Sequence, residues 1–287
     1  MDLRRHVVLA VMTAVVLICC AAGAGELEDQ GRAILERHQK AVVTVQLVVK
    51  QKLSMGGMGA QEDESKSEAT GFVIAPDGLT VLALSATDPT SLIENMMSGM
   101  GEMASRLKVD SDIADVKILL DDGTEIPAKV VLRDKDLDLA YVRPLEAPRA
   151  PLPAIDLGGA AEPAILEPVI TLNRLGKVAG RTCAVSVERI QAIIRKPRTF
   201  YVPGKDPTHS GAGSPVFTAD GKVVGMIAVR TIKTEGRGGL GAMFGGGMAQ
   251  GMIGVVVPAE DILEGAQQAP LPAGTSSEDT GEDAGKE

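Results

Sequence analysis

The sequence predicts an all-β chain, with helices confined to its N-terminal approach, a methionine-rich insertion and its C-terminal end. Two observations carry this. Runs of β-branched and aliphatic residues recur along the chain, as in 42–49 and 223–229, and Val43, Val45, Leu47 and Val49 share one face of a strand. Asp-Gly pairs at Asp77-Gly78, Asp122-Gly123 and Asp220-Gly221 punctuate those runs as turns. With 4 Phe, 2 Tyr and no Trp, the core must be aliphatic, and 287 residues suffice for one two-lobed domain or two small ones.

Taken in order, the basic opening Met1-Asp2-Leu3-Arg4-Arg5-His6 precedes an uncharged apolar run from Val7 to Ala24. The run ends in Ala22-Gly23-Ala24, the small-x-small form of a signal-peptidase site, so residues 1–24 read as a signal peptide cleaved near Ala24. The expected location is extracytoplasmic, periplasmic or secreted. Left uncleaved, the same run is long enough for a membrane anchor, and only then is a membrane a partner. Cys19 and Cys20 leave with it, so Cys183 stands alone and the mature chain has no intrachain disulfide. A net charge of −9 together with an export signal argues against nucleic acid.

Glu26 to Gln39 has helix-forming composition and leads into the strand Ala41 to Lys50. Ser54 to Glu68 carries Gly56, Gly57, Gly59 and the acids Glu62, Asp63, Glu64 and Glu68, and is expected as a mobile loop. Gly71 to Gly78 is a strand and turn. From Thr90 to Leu107, apolar residues at three- and four-residue spacing (Leu92, Ile93, Met96, Met97, Met100, Met103, Leu107) predict a helix with one stripe. Such a stripe is first a packing face, second a partner-binding face, and third, through the Met97, Met100 and Met103 thioethers, a Cu(I) site. No cofactor or other metal is expected.

Beyond it, Leu119 to Val131 reads as a hairpin, and 168–172, 183–187, 190–194, 216–217, 223–229 and 253–257 as strands. Pro258 to Glu264 reads as a helix, with proline at its start, acids in the first turn and Gly265 past its end. Gly236 to Gly251 is a glycine- and methionine-rich loop, and 269–287 a disordered acidic tail. Arg174, Lys177, Arg181, Arg189, Arg195, Lys196, Arg198 and Lys205 make one segment basic.

Three landmarks then point to one family. Ser210-Gly211-Ala212-Gly213-Ser214-Pro215 precedes an apolar strand, an Asp-Gly turn and a second apolar strand. Gly71-Phe72-Val73-Ile74-Ala75-Pro76-Asp77-Gly78 is followed seven residues later by Ser85. Arg133-Asp134-Lys135-Asp136-Leu137-Asp138-Leu139-Ala140 completes the set. Together they resemble trypsin-like, chymotrypsin-fold serine proteases of the HtrA/Deg type, which read G-N-S-G-G-P, G-F-I-I-x-P-D-G before T-N-x-H-V, and R-D-x-x-x-D-L-A. The resemblance spans roughly Ala41 to Glu264 and leaves no sequence for the PDZ domains that many HtrA proteins append.

The resemblance implies two six-stranded antiparallel β-barrels with short N-terminal and C-terminal helices. The first lobe then occupies 25–150 and the second 151–268, joined by the proline-rich crossing Arg143 to Pro153. It also puts Ser85, Asp138 and Ala212 on the three triad positions. A serine hydroxyl cannot replace an imidazole that titrates near neutrality, and a methyl group cannot attack a carbonyl. Asp138 is then expected to cap local backbone N–H groups. The expected function is an exported pseudo-protease that binds an extended peptide or protein partner, an acidic one suiting the basic segment. Ser210, Gly211, Ala212, Gly213 and Ser214 are the peptide-binding and oxyanion-loop candidates. Two readings compete: an active exported serine endopeptidase with a rearranged site using Ser210 or Ser214, and a methionine-rich Cu(I)-binding protein.

Overall fold

The aliphatic runs close into two barrels. A computed structural model of the protein describes residues 25–55, 58–87, 107–204, 211–231 and 252–270. The first barrel is built from β1 (Val42–Met55), β2 (Met58–Val73), β3 (Thr80–Ala83), β4 (Leu107–Leu119), β5 (Glu125–Asp134) and β6 (Leu139–Pro144). These strands close in the order β1-β2-β3-β6-β5-β4. The second barrel uses β7 (Pro168–Arg174), β8 (Cys183–Ile194), β9 (Phe200–Pro203), β10 (Pro215–Thr218), β11 (Val223–Thr231) and β12 (Met252–Pro258), in the order β10-β11-β12-β9-β8-β7. Neighbouring strands run antiparallel throughout. Helix α1 (Glu26–His38) precedes the first barrel and α2 (Ala259–Gln268) follows the second.

Each barrel has its own interior. Val43, Val45, Leu47 and Val49, one face of β1, pack with Leu82, Ile118 and Val142. Val169, Ile190, Val216, Ile227 and Val256 fill the second barrel. Between them lies a third cluster with members from both barrels and both helices, among them Ile34, Phe72, Tyr141, Phe217, Met226 and Ile262. The barrels therefore share a seam of apolar contact, whose burial is worth roughly 25 cal/mol per Å².

Each terminal helix reaches the far barrel. α1 packs on β7 and β8, and the His38 ring stacks on Phe217 of β10, centroids 4.8 Å apart. Burial, reinforced by neighbouring Arg37, lowers the His38 pKa from its usual value of 6.5. The unfolded chain therefore binds this proton more readily than the folded one, so His38 favours folding above pH 6.5, and that contribution fades as pH falls through the folded pKa. We expect the urea midpoint to drop between pH 7 and pH 5, with a smaller drop in His38→Gln; equal pH dependence of the two proteins would refute the assignment.

At the other end, the Tyr141 hydroxyl donates to the Ile262 carbonyl of α2 at 2.7 Å. A Cβ on Gly265 would stand 2.2 Å from that hydroxyl oxygen. Gly265 is thus no helix terminator, as the sequence suggested; it lies inside α2 because the Tyr141 ring needs its space.

Other expectations also change. Ser54 to Glu68 is not an irregular loop: β1 and β2 continue as a hairpin out to Met55 and Met58. β2 pairs with β3 only over Gly71–Val73, and β4 with β5 only over Val116–Leu119, so the outer part is a three-stranded arm in the order β2-β1-β4. The sequence of β2 shows no hydrophobic alternation there, and cross-strand charge supports the pairing instead: Lys50 lies opposite Glu64 on one side and Asp112 on the other. The strands expected at 183–187 and 190–194 are one, β8, with Glu188 buried and registered against Val169. Of the helix expected at Thr90–Leu107, residues 90–106 lie outside the described residues, and Leu107 begins β4. The signal peptide, the Gly236–Gly251 loop and 271–287 also lie outside them. Among the described residues, no helix is long and apolar enough to cross a membrane.

Candidate functional site

Ser85 sits in the 3₁₀ turn Leu84–Ala86 that follows β3, and Asp138 in the turn that opens β6, at φ +58°. The two are directly joined. The Ser85 N–H donates to Asp138 Oδ1 at 2.7 Å and its hydroxyl to Oδ2 at 3.0 Å, while the Val229 N–H of β11 reaches Oδ2 at 3.3 Å. Three donors from two barrels converge on one carboxylate. Burial nonetheless raises the Asp138 pKa, with these hydrogen bonds and the Arg230 charge opposing.

Ala212 occupies the turn before β10, and its neighbours hold it against the first barrel. Gly213 adopts φ +91°, and a Cβ there would lie 2.0 Å from the Thr70 carbonyl oxygen of β2 and 3.4 Å from the Ala83 nitrogen of β3. The loop is thus seated where β3 runs out toward Ser85. Gly213 N–H donates to Ile227 O at 2.8 Å, and Ile227 N–H returns a bond to Ser214 O at 2.9 Å. Ser214 N–H is directed to Gly211 O, at 3.4 Å. Neither Gly213 nor Ser214 has an amide left for a ligand. Among the described residues, the Ala212 N–H has no backbone acceptor.

Ser214 is fully buried and its hydroxyl donates to Asn173 Oδ1 at 3.3 Å. The same oxygen accepts from Thr70 Oγ1 at 2.6 Å. Gly211, at φ +74°, lies close enough that a Cβ would meet Asn173 at 2.8 Å. Asn173 thus ties β2 of the first barrel to the loop of the second. Sequence reasoning missed it, since one asparagine ending an apolar strand carries no local signal. Ser210 and Met97, Met100 and Met103 lie outside the described residues. Among those described, no group of three or more His, Cys, Asp or Glu could hold a metal ion.

The basic segment does not form one patch. Its residues fall at both ends of the β7–β8 ladder, Arg174 opposite Cys183 and Arg189 opposite Pro168. Arg174 is buried: Nε donates to Val42 O, Nη2 to Gln39 O, and Nη1 to Asp121 Oδ1, each at 2.7 Å. Arg181 pairs with Glu68, Arg189 donates to Leu166 O, and Arg198 lies 3.4 Å from Asp261.

The arrangement has a carboxylate, a serine and a methyl group at the seam of two barrels, and among the described residues no imidazole joins them. Residues 69–226 match the family model described as trypsin-like peptidase domain. No curated protein matches the chain.

Proposed function

Since the chain belongs to the trypsin-like peptidase domain family, we propose that it is an exported member that binds extended peptide or protein segments without cleaving them. One observation carries this reading: Ser85 and Val229 already occupy the Asp138 carboxylate, so it orients no general base, and the loop residue packed against the seam is Ala212. Proteolysis by this fold needs a nucleophile whose proton an oriented imidazole removes. Ser214 offers no substitute, since its side chain is buried and bonded to Asn173. Binding needs neither group. An extended segment adds to a barrel edge through main-chain hydrogen bonds, and the Ala212 N–H remains to meet a carbonyl or carboxylate oxygen. Export is supported by the basic, then apolar, then small-residue pattern of 1–24.

The purified protein is expected to give no casein turnover and no labelling by a fluorophosphonate probe, because loss of triad members leaves only about a thousand- to ten-thousand-fold acceleration over water. Ala212→Ser alone should restore nothing, as among the described residues Asp138 is bonded to Ser85 and Val229 and to no imidazole. Probe labelling abolished by Ser210→Ala would replace this reading with an active hydrolase. Copper bound stoichiometrically after purification with Cu(I), and lost on substituting Met97, Met100 and Met103, would favour the metal-handling alternative. On a peptide array, Ala212→Trp should abolish binding; unchanged binding would make the old cleft scaffold only.

A further inference from the structure

A second concavity shares no residue with the Ser85, Asp138 and Ala212 cleft. It is a cavity of about 380 Å³ between the 160–165 segment, the ends of β8 and β9 and the start of α2, a size within the range that takes small ligands or single side chains. Ile165, Ile193 and Val224 contribute an apolar wall, and Glu162, Arg195, Tyr201 and Glu260 the charged and polar groups. Tyr201 is 4% exposed, and its hydroxyl has no hydrogen-bond partner among the described residues. Tyr201 lines the cavity together with Glu162, Glu260 and Arg195, whose charges act on its hydroxyl. That oxygen is not among the enclosed polar atoms, so it stays within reach of a ligand entering the cavity, and a hydrogen bond there would add to binding.

The balance of charge selects the ligand. Glu162 and Glu260 are exposed and form no ion pair among the described residues, and neither does Arg195. One guanidinium offsets one carboxylate, which leaves the site net negative. The start of α2 does not reverse this, since Glu260 and Asp261 in its first turn oppose the positive end of the helix dipole. Burial, with Glu162 and Glu260 adding and Arg195 opposing, raises the Tyr201 pKa, so the hydroxyl stays neutral and free to accept.

We infer that this cavity binds a basic side chain, an arginine or lysine presented by a partner protein, with its aliphatic stem on Ile165 and Ile193 and its charged head between Glu162, Glu260 and the Tyr201 hydroxyl. The site is independent of the peptide-binding reading above. It is tested by NMR titration of the full chain with three probes: acetyl-Ala-Arg-Ala-amide, the corresponding glutamate peptide, and agmatine. The arginine peptide should shift the amides of Glu162, Thr199 and Glu260 saturably, and the glutamate peptide should not. Removing both charges in Glu162→Gln/Glu260→Gln should weaken the arginine peptide by roughly tenfold or more. Tyr201→Phe, which keeps the ring, should weaken it by about threefold or more, the value of one hydrogen bond. Binding of agmatine without the peptide would make a free amine the ligand and overturn the partner-protein assignment. Preference for the glutamate peptide, affinity unchanged in the double variant, or no shift of these amides would overturn the site itself.

Discussion

Replacing Gly213 by alanine is expected to destabilise the fold by about 3–5 kcal/mol, the sum of a left-handed backbone penalty and overpacking against a part that cannot move. The obstruction is main chain: the added Cβ would lie 2.0 Å from Thr70 O and 3.0 Å from Thr70 C. Thr70 is held in the β1–β2 ladder opposite Thr44, so relief requires moving either the strand or the loop. Gly123→Ala supplies the control, because Gly123 has a similar φ of +84° with nothing within 4 Å of the added carbon. It should cost about 1 kcal/mol, the conformational part alone. Urea midpoints measure both variants; equal losses would show that the seam around Gly213 is looser than its geometry implies.

A comparable loss, about 3–5 kcal/mol, is expected for Arg174→Met, which removes a buried charge from a network it completes. The guanidinium joins the entry to the first strand, at Gln39 O and Val42 O, to Asp121 and to Arg181 O at 3.0 Å. Methionine fills much of the volume but leaves those carbonyls without donors. Arg174→Lys should recover little, since an ammonium offers its donors from one point and cannot span acceptors arranged around a planar fork. Asp121→Asn is the contrast: its carboxylate is 44% exposed, and its loss should cost less than about 1 kcal/mol. A methionine variant as stable as the asparagine one would show that the Arg174 network contributes little.

What the sequence made legible was whatever repeats locally. Alternation at Val43, Val45, Leu47 and Val49 and the Asp122-Gly123 turn were readable because a strand face and a tight turn are specified by adjacent residues. The short strand β9 escaped notice, since Phe200 to Pro203 is too brief for a period to register. The outer arm escaped for a different reason: the charged and glycine-containing sequence of β2 from Met58 to Lys66 carries no apolar alternation to read. At the site, the family landmarks bring Ser85 and Asp138 onto related positions, and the two are hydrogen-bonded across 53 residues of sequence. Asn173 and Thr70, 103 residues apart, had no landmark to announce them. Their meaning exists only once two barrels are in contact. Ser214 was equally opaque, since a serine in a small-residue loop looks the same whether it faces solvent or, as here, a neighbouring asparagine.

The exchange of terminal helices across the seam has a consequence for the order in which the protein is made. The segment that leads into the first barrel must wait for β7, β8 and β10 before His38 and Ile34 have anything to rest on. Tyr141 of that same barrel waits longer still, for the Ile262 carbonyl near the chain's end. Barrel by barrel maturation behind a ribosome is therefore blocked: the earlier half stays incomplete until α2 has emerged. Contacts of such long sequence separation are slow to form, and the waiting half exposes apolar surface meanwhile. A chain truncated after the first barrel should consequently need a holding chaperone to stay soluble, while its intact parent needs one only for the interval before α2 arrives.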